Sequence, residues 1–171
     1  AIDVKQAALQ KQVAVSAKVE IKSFNNPVLT VDGNAKGKAY DFIQFVRYSP
    51  LYESNRHLIE STELIGLAAL DLKLSVPLSG KAAPKILGDL SLTQAELLLS
   101  ETPPIRAASG KVQFSEAGIN TLELKGQTLG GSITASGKRE KDALRIRLSG
   151  QANVLSLAHW LKIDTGAALS G

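Results

Sequence analysis

The fold of this chain is decided by the stretch LELKGQTLGGSITASGKREKDALRIRLSG, residues 122–150. In three successive segments of it, apolar residues occupy every second position: Leu122 and Leu124, Ile133 and Ala135, and Leu144, Ile146 and Leu148. Successive side chains of a β-strand point to opposite faces, so each segment is predicted to be a strand with one apolar and one polar face. The intervening GQTLGG and KREKD have turn compositions. These short connections predict hairpins in an antiparallel sheet.

The same alternation recurs through most of the sequence. It appears in AVSAKVEIK (residues 14–22), in LDLKLSVPL (70–78) and in KVQFS (111–115), with the turn compositions SGKAAPK, ETPPIR and EAG between later segments. A chain of 171 residues suits one domain with a sizeable core. We therefore predict a single all-β unit over residues 1–171, built mainly as a curved antiparallel sheet.

Two segments break the alternation and predict one or two short amphipathic helices. The first contains the apolar run Phe42–Val46, with Asp41 near its start and Pro50 after its end. The second is VLSLAHWLKI, residues 154–163, which includes Trp160. We expect both apolar clusters to cover the end of the sheet core, with contact to a partner helix or a membrane as the alternative.

The two helical segments follow similar sequences. Each comes after a strand, a glycine and a small residue, and Gly33 corresponds to Gly150 in this pattern. The region near 148–171 therefore resembles 29–51 and is predicted to restart an internal repeat. A large repeat that begins twice indicates an array that extends beyond this segment.

Composition narrows the classes of function. The net charge is +4, but Lys and Arg are scattered among Asp and Glu, so nucleic acid is not expected as a partner. Cysteine is absent, which excludes disulfides and thiolate metal sites. No apolar run approaches the roughly 18 residues of a membrane span, and no signal segment opens the chain. Because Met is also absent, we expect this chain to be part of a longer protein whose anchor lies elsewhere.

No residue pattern predicts catalysis. His57 and His159 are the only histidines, and neither lies in a cluster with metal-ligand spacing. GQTLGG lacks the Lys-Ser/Thr ending of a phosphate-binding loop, so a hairpin turn is the better interpretation. There is no nucleophile elbow and no believable pair of acids for hydrolysis. We expect a protein that is not an enzyme and needs no metal or cofactor.

One region near the end of the chain is densely basic. We interpret it as a solvated edge that resists strand-to-strand aggregation, with contact to anionic lipid headgroups as the alternative. Its members are Lys138, Arg139, Lys141, Arg145 and Arg147.

The apolar face of the sheet is the main candidate for function. A second sheet would cover it in a closed β-sandwich, whereas in an open curved sheet it would remain accessible as a groove for acyl chains. Aromatic residues make up only 5% of the chain, and an aliphatic lining favours the groove. The groove candidates are Leu70, Leu72, Leu74, Leu90, Leu92, Val112, Phe114, Leu122, Leu124, Ile133, Leu144, Ile146 and Leu148.

An ordered set of short motifs between residues 28 and 171 resembles the AsmA-like superfamily. Within it, the set is most similar to the YhdP-type proteins of Gram-negative envelopes, which are relatives of TamB. No single motif is specific, but their order is. They are Ser49-Pro50-Leu51, Val76-Pro77-Leu78, Gly110 with Val112 and Phe114, Gly118, and Leu129-Gly130-Gly131.

This resemblance implies a protein anchored in the inner membrane, with a long repeating β-groove in the periplasm. The groove would carry phospholipids toward the outer membrane without catalysis, and other parts of the protein would contact the two membranes. The competing hypothesis is a closed β-sandwich that scaffolds the envelope and binds protein partners through its sheet edges.

Overall fold

The computed structural model describes residues 2–9, 13–22, 25–48, 51–79, 82–141 and 143–162. These residues form nine strands: β1 (Ile2–Leu9), β2 (Val13–Lys22), β3 (Val28–Lys38), β4 (Thr62–Pro77), β5 (Lys85–Leu99), β6 (Ile105–Ser115), β7 (Gly118–Thr128), β8 (Gly131–Glu140) and β9 (Ala143–Gly150). They also form three helices: α1 (Ala39–Arg47), α2 (Leu51–Glu60) and α3 (Val154–Trp160). The predicted all-β class is confirmed, but the helices number three among these residues instead of one or two.

All nine strands belong to one open, curved sheet. Their order in the sheet is their order in the chain, and every neighbouring pair is antiparallel. Strands β1 and β9 form its two edges. Within the described residues no second sheet covers it, so this part of the chain adopts the open form and not the sandwich.

The strand register aligns the apolar positions across the sheet. One cross-strand row runs without interruption from β3 to β9 and contains only apolar residues and glycine. Its members, in order, are Ala35, Leu70, Leu90, Val112, Leu122, Gly137 and Ile146. Because residues that face each other across a ladder point to the same side, this row and the rows in phase with it form one face. We call it the apolar face, and the opposite side the polar face.

The hairpin predicted at GQTLGG is confirmed. Strands β7 and β8 pair as far as Thr128 opposite Gly131, which leaves Leu129 and Gly130 as a two-residue turn. Their φ angles are 50° and 72°. Two-residue hairpin turns of this kind need positive φ at both central residues, and glycine adopts such angles without steric cost. Since a strand follows this turn, it is not a phosphate-binding loop at the start of a helix.

Helix α1 is the first predicted helix, and it packs on the apolar face. Its Ala39 and Phe42 are 0% and 6% exposed. They belong to the main core cluster together with Leu64, Ala68, Leu70, Leu92, Ala95 and Ala108 of β4, β5 and β6. Asp41 in the first turn and Arg47 in the last turn complement the helix dipole. The core of the sheet therefore lies between α1 and the three central strands.

Helix α2 was not predicted from the sequence. It begins directly after the segment Ser49-Pro50 and contacts α1, β4 and β7. Its Ile59 is 6% exposed. A helix with so few apolar residues is held mainly by its tertiary contacts, which a local pattern does not reveal. Together α1 and α2 extend over the apolar face from β3 and β4 to β7.

Helix α3 confirms the second predicted helix. The Asn153 side chain caps it by accepting hydrogen bonds from the backbone N–H groups of Leu155 and Ser156, at 2.9 and 3.2 Å. Helix α3 follows β9 as α1 follows β3. Residues 163–171 of the predicted repeat restart lie outside the described residues, so the repeat remains a prediction.

Candidate functional site

All thirteen predicted groove positions lie on the apolar face. Leu70 pairs with Leu90, Val112 pairs with Leu122, and the other candidates share their phase along each strand. The ring of Phe114 lies over Gly88 of the neighbouring strand, where an added Cβ would stand 2.2 Å from the Cζ atom of that ring. The glycine thus leaves room for an aromatic side chain that contributes to the apolar surface.

The α1 helix covers one part of this face. Leu70 and Leu92 are 8% and 5% exposed and belong to the core cluster under α1. They therefore contribute to the core and not to an accessible wall. Four further candidates pack against the rim of that cluster: Leu72, Leu90, Phe114 and Leu124.

The remaining part of the face is more open. Ile146 and Leu148 on β9 are 52% and 64% exposed, and Ile133 and Leu144 are half-buried. Small residues on β8 keep the surface between the larger side chains shallow. We call this surface the open apolar strip, and it consists of Ile133, Ala135, Leu144, Ile146 and Leu148. Leu122, which is 8% exposed, and Leu124, which packs against the core cluster, border it on β7.

The basic region predicted near the end of the chain divides between the two faces. Lys138 lies opposite Arg145 on the polar face, and the Arg145 Nε is 3.3 Å from Glu140 Oε2. Arg139 lies on the apolar face, half-buried beside Leu144. Its Nε donates a 2.8 Å hydrogen bond to the backbone carbonyl of Ile119. The five basic residues are therefore not one continuous surface.

The position of Arg139 could have been found from the sequence. It is in phase with Ile133, Ala135 and Gly137, so strict alternation assigns it to the apolar face. Arg139 was instead grouped by charge with the neighbouring Lys and Arg residues, so its place on the apolar face was not predicted. A guanidinium on the apolar face defines where the open apolar strip ends toward the β8–β9 turn, because a cation requires polar partners.

Two carboxylates on the strands and turns have lowered pKa values. Hydrogen bonding and proximity to Lys18, whose Nζ lies 2.7 Å away, lower the pKa of Glu20. The pKa of Glu116 is lowered chiefly by the hydrogen bond that its Oε2 accepts from the backbone N–H of Ile86, at 2.9 Å. The Glu116 contact joins the β6–β7 turn to β5, whereas Lys18 and Glu20 lie on the same strand, β2. Both contacts lie apart from the open apolar strip.

The histidines do not assemble into a site. His57 and His159 are exposed on α2 and α3. Among the residues that the structure describes, no group of three or more His, Cys, Asp or Glu side chains could hold a metal ion. In the same residues, no helix is long and apolar enough to cross a membrane.

Comparison with known proteins identifies the family. No curated protein and no solved structure matches this chain at a significant level. The model of the YhdP protein family matches residues 1–171. The open antiparallel sheet and its apolar face agree with the resemblance that the ordered motifs indicated. The chain therefore belongs to the YhdP family of AsmA-like bacterial envelope proteins.

Proposed function

We propose that this chain is one segment of a non-catalytic surface that carries phospholipids through the periplasm toward the outer membrane. The observation that supports this most strongly is the open apolar strip, which bears exposed aliphatic side chains on an ordered sheet. Ile146 and Leu148 are the most exposed of them. Soluble proteins rarely leave contiguous apolar surface uncovered unless it binds a partner.

The two faces of the sheet suit this function physically. Each CH₂ group of an acyl chain gains roughly 0.8 kcal/mol when it leaves water, so a shallow apolar strip can hold a chain of many such groups. The polar face carries Lys138, Arg145 and Arg147 and remains solvated. A lipid could move along such a surface without a chemical step, because successive aliphatic contacts are nearly equivalent.

As part of a YhdP-type protein, the chain would lie in the periplasm. Other parts of that protein would supply an inner-membrane anchor and the contacts to both membranes. Phospholipid is its expected ligand, and envelope proteins are its further expected partners. It is expected to need no cofactor, to perform no enzymatic reaction and to bind no nucleic acid.

Two substitutions on one strand test the lipid-carrying function. Leu148→Asp places a charge on the apolar face, and Ser149→Asp places the same charge at the next residue, on the polar face. Both positions are exposed, so neither change should unfold the sheet. The chain would be purified from bacterial periplasm without harsh detergent and examined by native mass spectrometry and lipid extraction. We expect phospholipid with the parent chain and with Ser149→Asp, and a several-fold loss with Leu148→Asp.

Transport by this segment would be excluded by a folded parent chain that carries no phospholipid and does not bind an added fluorescent phospholipid. The envelope assembly function, in which the sheet edges β1 and β9 bind protein partners, would then be favoured.

A further inference from the structure

Arg139 is the charged member of an otherwise apolar and small row of residues on β8. The positions in phase with it along the strand are Ile133, Ala135 and Gly137, and its cross-strand neighbour on β9 is Leu144. Both Arg139 and Leu144 are half-buried. The guanidinium therefore borders the open apolar strip directly, on the same face of the sheet and at the end near the β8–β9 turn.

One hydrogen bond positions the Arg139 side chain but uses only part of it. The Nε atom donates to the backbone carbonyl of Ile119, at 2.8 Å. That carbonyl lies beyond the β7–β8 ladder, whose last pair at this end is Thr121 with Lys138. Within the described residues, the two Nη groups of Arg139 form no hydrogen bond. Their N–H donors are thus available to a ligand.

Arg139 also lacks a carboxylate partner in the part of the chain that the structure describes. The adjacent Glu140 points to the polar face, where its Oε2 lies 3.3 Å from the Nε of Arg145. A half-buried cation beside an apolar surface is stabilised when an anion contacts it. A ligand with a negative group and an apolar part matches Arg139 and the open apolar strip together.

The strip beside Arg139 is long enough for an acyl chain. Ile133 precedes Arg139 by six residues on β8, which corresponds to about 20 Å along a strand. The acyl chain of a bilayer lipid spans about half of the roughly 30 Å hydrocarbon core. Ala135 and Gly137 keep the path between the two ends shallow, and the aliphatic side chains of β9 flank it. An acyl chain that begins at Arg139 therefore fits on the strip.

We propose that Arg139 binds the phosphate of a phospholipid whose acyl chain lies along the open apolar strip. The planar guanidinium donates its Nη hydrogen bonds to the phosphate oxygens. The Nε bond to Ile119 holds the guanidinium in place. The lipid is thereby oriented, with its headgroup at the β8–β9 turn and its chain directed toward the β7–β8 turn. This inference rests on the proposed lipid-carrying function and adds to it the residue that contacts the headgroup.

The test compares two lipids with identical fluorescent acyl chains, a phosphatidylglycerol and a diacylglycerol that lacks the phosphate. Binding of each to the 171-residue chain is measured by fluorescence titration. The contact is charge-assisted but partly solvated, so we expect the parent chain to bind the phospholipid about fivefold more tightly. Arg139→Gln should remove most of this preference. It should leave diacylglycerol binding unchanged, because the strip itself is unaltered.

Arg147→Gln is the matched control for net charge. Arg147 is exposed on the polar face of β9, and its substitution lowers the net charge by the same amount. This variant should retain the preference of the parent chain. Arg139→Lys keeps the charge but loses the planar fork of donors, so its preference should lie between those of the parent chain and Arg139→Gln. Circular dichroism verifies the fold of each variant, and Arg139→Lys still tests the contact should Arg139→Gln fail to fold.

Three other results would contradict specific statements. Equal binding of the two lipids by the parent chain would overturn the phosphate contact while leaving the open apolar strip as a lipid site. Failure to bind either lipid would contradict the proposed function itself. Equal losses of preference in Arg139→Gln and Arg147→Gln would show that the preference follows net charge, and would overturn the role of Arg139.

A soluble competitor distinguishes a lipid phosphate from a free one. Glycerol 3-phosphate has the phosphate but no acyl chain, so it should displace the fluorescent phosphatidylglycerol only at far higher concentration than an unlabelled phosphatidylglycerol does. Displacement by both at the same concentration would assign Arg139 to a free phosphate and overturn the lipid proposal.

Discussion

Glu116 shows how a single side chain can secure the edge of a hairpin. It lies in the turn between β6 and β7, and its carboxylate accepts a hydrogen bond from the backbone of Ile86, the second residue of β5. This bond, followed by one from its own backbone N–H, holds the pKa of Glu116 below the ordinary 4.5. A carboxyl whose pKa is lower in the folded state stabilises the fold above its unfolded pKa. That contribution disappears as the pH falls through the folded value.

Glu116→Gln is predicted to lower stability in a pH-dependent manner. The ionised acceptor is replaced by a neutral one, and we expect a loss of about 1 kcal/mol at pH 7 because the carboxylate is largely solvated. Urea unfolding at pH 7 and at about pH 3 measures the difference, which should shrink at the lower pH. Glu123→Gln, an exposed glutamate without an ion pair among the described residues, is the control. A difference of equal size at both pH values would show that ionisation of Glu116 is irrelevant.

At the scale of elements, α1 has a buried side and an exposed side. Its inner side completes the core over β4, β5 and β6, and its outer side is open to solvent. Phe42 and Phe45 demonstrate this division, since they are 6% and 53% exposed on the same helix. The sequence pattern predicted an amphipathic helix here, but it did not reveal which part of the sheet the helix would cover.

Phe42→Ala and Phe45→Ala form a matched pair for this helix. Removing the buried ring leaves a cavity in the core, so Phe42→Ala is predicted to cost about 3 kcal/mol of unfolding free energy. Phe45→Ala should cost less than about 0.5 kcal/mol, because its ring is half in solvent. Denaturant unfolding of both variants gives the comparison. Similar losses for the two would mean that α1 is held in some other orientation.

At the scale of the whole molecule, the sheet is nearly one-dimensional. Each strand pairs only with the strands before and after it in the chain, and the helices add contacts mainly to β3, β4 and β7. In such an arrangement the free energy of unfolding is close to a sum of contributions from single strands and from the contacts between adjacent strands. The part under α1 and α2 should therefore be more stable than β8 and β9, which bear the open apolar strip.

Hydrogen exchange in two variants of β8 tests whether β8 and β9 open independently of the central strands. Ile133→Asp puts a charge on the apolar face, and Thr134→Asp puts the same charge on the polar face. We expect Ile133→Asp to raise amide exchange in β8, β9 and α3 by at least about tenfold, since a half-buried charge without a partner is costly. Protection in β4 and β5 should not change, and Thr134→Asp should have little effect anywhere. Faster exchange throughout the sheet would show that it unfolds as one cooperative unit.

The sequence by itself determined most of the strands, the hairpins between them and the face on which each groove candidate lies, because the two-residue period of a strand is a local property. It also located α1 and α3 through their apolar clusters. Strand β1 was not predicted. Only the tertiary structure decided that α2 forms and that Leu70 and Leu92 lie under α1. These features depend on where the helices fold back onto the sheet. That position is set by packing between segments distant in the chain, and no local pattern encodes it.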